Sequence, residues 1–318
     1  MENPTNIRFQ RVETDAELQT YLDLNAEDRP DRASTLARTK QEDAARPHAI
    51  QRFLVIQDGV AVGDFGIMPT YWSGDLTLYQ FWPNLPRGLD RPGCDAMIGF
   101  ALEAIRDSGG KKVNTWAPTH YGAFHDSLLE SGFKFDQANP ESILKLDQLD
   151  LDAFQPAIAS LKASDLRVLS LQDLLAEDPA GGWARYHELD LRLTRDVPLP
   201  YEFTGEPLES FVKQFEVQRA SFATIQIAAD GDFLVATSML FRNEDAPDYY
   251  WTGLTGVDRN YRRRGIAKAL KAINFQLAKD AGGIQITCDN EENNPMLQLN
   301  YELGFRPYWV WNSYSREI

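Results

Sequence analysis

Six cations (Arg259, Arg262, Arg263, Arg264, Lys268 and Lys271) fall within thirteen residues of a chain whose net charge is −15. A chance share for so acidic a chain is about one. The three consecutive arginines lead through Gly265 into an apolar periodicity (Ile266, Ala269, Leu270, Ile273, Leu277) that predicts a helix. Cations at a helix start oppose its dipole and cost a few tenths of a kcal/mol each, ~0.3 or more. A bound anion reverses the sign, because free first-turn amides and arginine forks make a site for phosphate or pyrophosphate. Gly265 lets a ligand approach the backbone, and Ala267 keeps the first turn narrow. Taken alone, the string also fits a solvated basic loop before a helix. It is neither the P-loop string nor the G-x-G-x-x-G of a dinucleotide fold.

The elements that must position this segment occur twice. In the first half, residues 7–12 read as a strand, and 15–28 and 33–46 as helices. Residues 53–57 and 60–68 form a hairpin about Asp58 and Gly59, and 76–82 is a third strand. A helix over 94–106, a strand over 112–116, a short helix ending at Gly132 and a strand over 142–146 follow. The second half repeats the order. It runs strand 166–171, helices 183–193 and 207–219, then a hairpin of 223–228 and 233–241 about Asp230 and Gly231. Strand 249–257, helix 266–278, strand 284–288 and a helix ending at Gly304 complete it. Thirty-nine residues separate Gly93 from Gly132, and 39 separate Gly265 from Gly304. Two copies of one α/β domain are therefore expected, at 1–148 and 166–318, joined by a linker over 149–165. Each is a mixed, mostly antiparallel sheet flanked by helices, too long a repeat for a solenoid.

Composition narrows the function classes. A content of 43% hydrophobic and 25% charged residues is that of a soluble globular protein. No apolar run reaches the roughly 18 residues of a membrane helix. Residues 1–10 show no secretory pattern, and two cysteines are too few for a disulfide framework, so the cytoplasm is expected. The acidic balance argues against nucleic acid and anionic membranes as partners. It favours a cationic substrate, or simply solubility. No Cys/His cluster of metal-ligand spacing is present, and His120 and His125, five apart, do not share a helical face. The G-x-S-x-G elbow of hydrolases is missing too.

The order strand, Val257-x-x-x-Tyr261-Arg262-x-x-Gly265-x-Ala267, helix, strand, Asn293-x-x-Met296, Leu303-Gly304-Phe305 resembles the GNAT superfamily of acyl-CoA N-acyltransferases. The repeat extends the likeness to the tandem, mycothiol-synthase-like branch. The resemblance implies acetyl-CoA as the cofactor. Arg262, Arg263, Arg264, Gly265, Ile266, Ala267 and Lys268 would hold its pyrophosphate, and Asn293 would touch the cofactor arm. Leu254, Thr255, Gly256 and Val257 would pair with the pantetheine as an added strand. The thioester would lie in the splay between that strand and residues 284–288.

Several positions depart from the family pattern. The tyrosine that usually acts as general acid would stand four residues before Gly304, where this chain has Asn300, which is no proton acid. Tyr301 is one residue away, a turn of about 100°. The slot that often carries the base is Trp251, leaving Asp248 and Asp258 as candidates acting through water. Trp251, with Tyr201 and Glu202 from the rigid loop of Pro198 and Pro200, is expected to meet the substrate. Aligning Gly93 with Gly265 puts Asp90 opposite Arg262 and Asp95 opposite Ala267, so the first half is expected not to bind acyl-CoA. Cys94 and Cys288 read as small buried residues, although Cys94 stands near a helix start that can lower a thiol pKa. The expected function is transfer of an acetyl group to a small amine by direct attack on the thioester. A non-catalytic acyl-CoA-binding protein and a transferase of longer acyl groups are the alternatives.

Overall fold

A computed structural model describes residues 6–27 and 29–318. The predicted helix 15–28 is therefore seen as far as Glu27, and Asp28, like the first five residues read for a targeting signal, lies outside the described residues.

In chain order, the first half runs β1 (Ile7–Arg11), α1 (Asp15–Glu27), α2 (Leu36–Ala45), β2 (Gln51–Gln57), β3 (Val60–Pro69) and β4 (Leu78–Asn84). Then come α3 (Arg91–Asp107), β5 (Lys112–Pro118), α4 (Gly122–Glu130) and β6 (Lys134–Lys145). After α5 (Gln155–Lys162), the second half runs β7 (Arg167–Ser170), α6 (Leu171–Glu177), α7 (Gly182–Thr194) and α8 (Leu208–Val217). It closes with β8 (Ile225–Asp230), β9 (Phe233–Arg242), β10 (Tyr249–Val257), α9 (Ile266–Asp280), β11 (Gln285–Asp289), α10 (Pro295–Glu302) and β12 (Arg306–Glu317). The expected helix, strand and hairpin order is present twice. The strand β12 and the helix α6 were not among the expected elements; α6 starts on a capping box in which Ser170 and Asp173 bond each other's backbone amides.

The chain does not divide at one linker. One compact unit holds the chain through Asn139 together with Pro200–Glu206 and Trp309–Ile318, and the other holds Pro140–Leu199 and Pro207–Tyr308. The two expected contiguous halves thus exchange their last strands, and the 149–165 connection lies wholly within the second unit.

In the first unit the sheet order is β1-β2-β3-β4-β5-β12, antiparallel except for the parallel pair β4/β5. The β2–β3 turn places Asp58 and Gly59 at φ 50° and 85°, the double positive φ that an Asp-Gly hairpin supplies. Its core is aromatic. Phe53 stacks on Phe65 at 5.0 Å and Phe65 meets Phe81 edge-on at 5.5 Å, with Met97, Ile98 and Ile105 of α3 buried alongside.

The second unit has the order β6-β11-β10-β9-β8-β7, with β10/β11 the parallel pair. On one face Leu144, Tyr250, Ile286 and Phe305 pack with Phe275 of α9 and Phe154 and Ile158 of the connecting segment. On the other, Tyr186, Leu189 and Leu193 of α7 and Phe211 of α8 cover Ile225, Ile227 and Met239. The buried stripe of α9 differs from the sequence reading. It runs through Ile266, Leu270, Lys271, Asn274, Phe275 and Ala278, while Leu277 is exposed. Asn274 is accommodated because its amide donates to the Ser238 carbonyl at 2.8 Å.

Candidate functional site

The parallel ladder between β10 and β11 ends at Trp251 and Thr287, and β10 runs on to Val257. Residues 252–257 therefore offer an edge that β11 does not cover. On the other side, the pairing of β10 with β9 breaks between Thr252 and Thr255. Gly253 permits that irregularity, since a Cβ there would lie 2.5 Å from the Phe241 ring. Gly256 likewise lets α7 close in, a Cβ falling 3.1 Å from Leu193. Neither glycine was singled out for a role of its own in the sequence, although glycine inside a strand is the signal that finds such places.

Val257 hands the chain to the arginine loop. Asp258 caps the turn Arg259–Tyr261 through the Asn260 amide (3.1 Å) and meets Arg192 of α7 at 3.0 Å. Arg262 bonds the Val257 carbonyl through Nε at 2.9 Å and reaches Asp196, just beyond α7, through Nη2, while Arg259 forks onto Asp196 with Nε and Nη2. These arginines, Arg259 first, hold the Asp196 carboxyl below its usual range. Arg264 bonds the Asn260 carbonyl and lies over the Tyr261 ring, whose hydroxyl donates to Asp230 at 2.7 Å.

Arg263 is different. Its φ is 63°, a left-handed conformation that costs a non-glycine residue about 1 kcal/mol or more, and its side chain bonds no group among the described residues. Gly265 follows at φ 76° and is the N-cap of α9, with no side chain capping it. The first helical bond runs from Ala269 to the Gly265 carbonyl (3.0 Å), so the amides of Ile266, Ala267 and Lys268 are left to a ligand or solvent. Open amides, a positive-φ pair and an unengaged guanidinium are the parts of an anion site. Of the six cations, Lys268 rests over Phe154, and Lys271 is buried on the sheet side of α9, away from the loop.

The remaining candidates are scattered along this unit. Asn293 is exposed and its amides are taken by Glu291, while Asn294 caps α10. Asn300 is fully buried, donating to Asn290 Oδ1 (2.6 Å) and Cys288 Sγ (3.0 Å). Tyr301 is half-buried against the Leu144–Phe305 cluster. Trp251 stacks on Phe241 at 5.5 Å on the α7–α8 face, where Phe215 approaches Phe241. Asp248 stands before β10, at the end away from the fork and about 13 Å along the strand from Thr252. That position removes it from the atoms the fork can hold.

Tyr201 and Glu202 belong to the first unit. The Tyr201 hydroxyl accepts from Trp72 Nε1 at 2.8 Å, and Thr204 anchors the loop to the Ser73 carbonyl. They line a cavity of about 790 Å³ with Asp75, Lys112, Asn114 and Arg316. The sequence showed this loop's rigidity but not the sheet it docks on.

In the first unit the matching helix start is closed. Asp90 caps α3, accepting from the Gly93 amide at 2.9 Å, and Arg91 pairs with Asp95 and Glu130. Gly93 lies inside the helix, packed on Ile7 and Leu89. Among the described residues no metal-binding cluster occurs, and no helix is long and apolar enough to cross a membrane. Both cysteines are buried and free.

Comparison with known proteins agrees with this geometry. Residues 183–305 match the model of the Acetyltransferase (GNAT) family. A tandem GNAT protein from the clavulanic acid biosynthesis pathway is similar along 98% of both chains, at a TM-score of 0.69 and 19% identity. A GCN5-related N-acetyltransferase from Sphaerobacter thermophilus matches 98% of this chain and 95% of its own, at a TM-score of 0.70 and 15% identity. The glucosamine N-acetyltransferase region of a fungal multi-domain β-N-acetylglucosaminidase matches 99% of this chain over 38% of its own, at 0.66 and 12%. No curated protein matches the chain. The family match covers the unit with the open helix start, and the structural likeness, at these identities, speaks for the fold of both units. Residues 183–305 are thus similar to the acetyltransferase domain of the GNAT family, and the chain as a whole has the fold of a tandem GNAT protein.

Proposed function

We propose that the chain is an acetyl-CoA-dependent N-acetyltransferase, with the donor held by the second unit and a small amine as acceptor. The observation that carries this reading is the uncapped start of α9 at the end of a strand whose edge lies open from Thr252 to Val257. Amides of Ile266, Ala267 and Lys268, with Arg263, would bind the pyrophosphate, and Arg262 and Arg264 would hold the loop in shape. Leu254, Thr255, Gly256 and Val257 would pair with the pantetheine. Asn293 would have to leave Glu291 to reach it. When bound, the donor supplies an activated thioester carbonyl. Amides of β10 near the fork would polarise that carbonyl, and fixed geometry would supply much of the acceleration. The acceptor would approach from the aromatic face of Trp251 and Phe241, and the first unit would act as scaffold. Asp258, held by Arg192, is better placed to fix the loop than to take a proton.

Calorimetric titration of acetyl-CoA into wild type, Gly265→Ala and Gly265→Glu tests the reading. A Cβ at Gly265 meets nothing within 4 Å, so the alanine variant isolates the backbone strain and the glutamate adds the charge. The expected outcome is a loss of at least about 100-fold in Gly265→Glu, beyond that in Gly265→Ala. Absence of binding to wild type sinks the proposal. Binding without amine-dependent release of CoA would leave a non-catalytic acyl-CoA-binding protein, and preference for a longer chain would change the donor.

A further inference from the structure

The usual acid slot holds Asn300, whose amide has no proton to give, but Asn300 touches a group that has one. Its Nδ2 donates to Cys288 Sγ at 3.0 Å, while its Oδ1 is buried without a partner. Cys288 is the residue of β11 immediately after the last ladder pair, so its thiol stands where β10 and β11 part. Thr252 is the first residue of β10 beyond the ladder, and the thiol itself donates to Asn290 Oδ1 at 3.5 Å.

From α9, Lys271 comes to the same place. It is 2% exposed, its Nζ lies 5.9 Å from the ring centres of Phe275 and Phe305, and no carboxylate among the described residues pairs with it. A buried ammonium without a counter-ion is costly, and a thiolate at Cys288 would supply one. The other charged groups facing this thiol are Asp289 on its own strand and Glu141, opposite Asp289 on β6. Burial pushes the Cys288 thiol up, while Lys271 and the donors from Thr252 and Asn300 pull it back, so the sulfur carries its proton at neutral pH. A thiol that is protonated, yet poised beside a cation and an amide donor, is suited to lose a proton when another thiolate appears next to it.

We propose that Cys288 is the proton donor to the leaving thiolate, and that Lys271 and Asn300 are positioning residues that stabilise the thiolate left behind. This rests on the acyl-transfer reading. As the acceptor nitrogen bonds the acyl carbon, the C–S bond breaks with its electron pair on the donor sulfur, and the Cys288 proton moves to that sulfur. The Cys288 thiolate remains beside the Lys271 ammonium. The proton shed by the acceptor nitrogen restores the thiol through water, so protons balance and nothing is oxidised or reduced. Donor and acceptor are both thiols, and Lys271 offsets part of the cost that burial places on the Cys288 thiolate.

The experiment compares wild type with Cys288→Ala, Cys288→Ser and Lys271→Met, all checked for folding by thermal melts. Cys288→Ala is expected to lower kcat roughly 10- to 100-fold with the acetyl-CoA KM within about twofold, and to remove the alkaline fall of kcat. Cys288→Ser, which keeps the volume, guards against reading a packing defect as lost chemistry, and should be as slow as the alanine variant to within about threefold. A second readout uses the free protein. In a Cys94→Ala background, the ultraviolet thiolate signal of Cys288 should appear at higher pH in Lys271→Met than in Lys271. An unchanged kcat and pH profile in folded Cys288→Ala overturns the donor role. An unchanged thiol titration in Lys271→Met overturns the coupling. Failure of wild type to bind acetyl-CoA is a separate outcome, which strikes the acyl-transfer reading and this step with it.

Discussion

The two units begin their long helices in opposite ways. In α3 the Asp90 carboxylate fills the cap position and bonds the Gly93 amide, and Arg91 is held between Asp95 and Glu130. In α9 the cap position is Gly265, three amides point at nothing, and Arg263 sits strained and unengaged beside them. Asp64 of β3, fully buried, collects donors from Asn84 (2.7 Å), Asn25 (3.0 Å) and Tyr21. Among the described residues of the second unit, buried Lys271 faces the Phe275 and Phe305 rings and no carboxylate, and the Oδ1 of Asn300 has no partner. Buried polar atoms without a partner occur in both units, Thr115 Oγ1 and Ser127 Oγ in the first as well as Asn300 Oδ1 in the second, so the difference between the units lies at the helix starts. On a shared backbone, the carboxylate cap of α3 and the open start of α9 set the two units apart.

The comparison can be tested first at Asp64, where the largest effect is expected. Burial, against the pull of Asn84, Asn25, Tyr21 and Arg52, pushes its carboxyl up to about 8, far above an unfolded value of about 3.9. A group whose folded pKa is raised binds its proton more tightly when folded. The associated stability is fully present below about pH 4 and is lost as pH rises through about 8. Wild type should therefore lose on the order of 2 kcal/mol between pH 6 and pH 9, and Asp64→Asn should not. Parallel denaturation midpoints for the two proteins would show that the network holds the carboxylate ionised. Asp90 should matter less. Asp90→Ala removes a cap worth about 1 kcal/mol and should lower the melting temperature of its unit by about 3 °C. It should give the first unit no affinity for acetyl-CoA, since Arg91, the arginine that flanks the freed amides, is held by Asp95 and Glu130. Binding there would overturn the view that charge, and not the cap alone, distinguishes the two sites.

Much of this was legible in local sequence because it is set by local chemistry. Asp58-Gly59 and Asp230-Gly231 mark hairpins by their turn conformation, and the order of elements marks the repeat. Gly93, however, lies inside α3 while Gly265 caps α9, so it is Asp90 and not Gly93 that matches Gly265. The arginine run before Gly265 pointed to the open helix start. What stayed hidden depends on contacts distant in sequence. The last strand, β12, was not expected at all, and its place beside β5 is set by a pairing distant in sequence. Lys271 and Asn274 look like a polar face until Ser238 and the Phe275 and Phe305 rings are brought to them by folding. Tyr201 and Glu202 were placed by analogy with a contiguous domain, and the loop that carries them docks on Ser73 and Trp72 instead.

The smallest effect bears on how the second site is kept ready. Asp196 engages Arg259 and Arg262, the arginines on either side of the turn that leads to Gly265. Two roles are open to a carboxylate there, and they differ in sign. If it competes with a phosphate for the guanidinium forks, Asp196→Asn removes a negative charge from the field and frees two donors, and acetyl-CoA binds more tightly. If it preorganises the loop, the same change loosens the arginines and binding weakens. Exposure decides between them. The Arg259 and Arg262 side chains are 77% and 44% exposed, so the pairs are solvent-screened and worth at most about 1 kcal/mol in stability. The backbone bond from Arg262 to the Val257 carbonyl and the Asp258 cap hold the turn without Asp196. The competing role should therefore win. Asp196→Asn is expected to tighten acetyl-CoA about two- to threefold at low salt, with the gain shrinking as ionic strength rises. A weaker complex, insensitive to salt, would make Asp196 the counterpart of Asp90 after all, a carboxylate that builds a helix entrance from outside where Asp90 builds one from within.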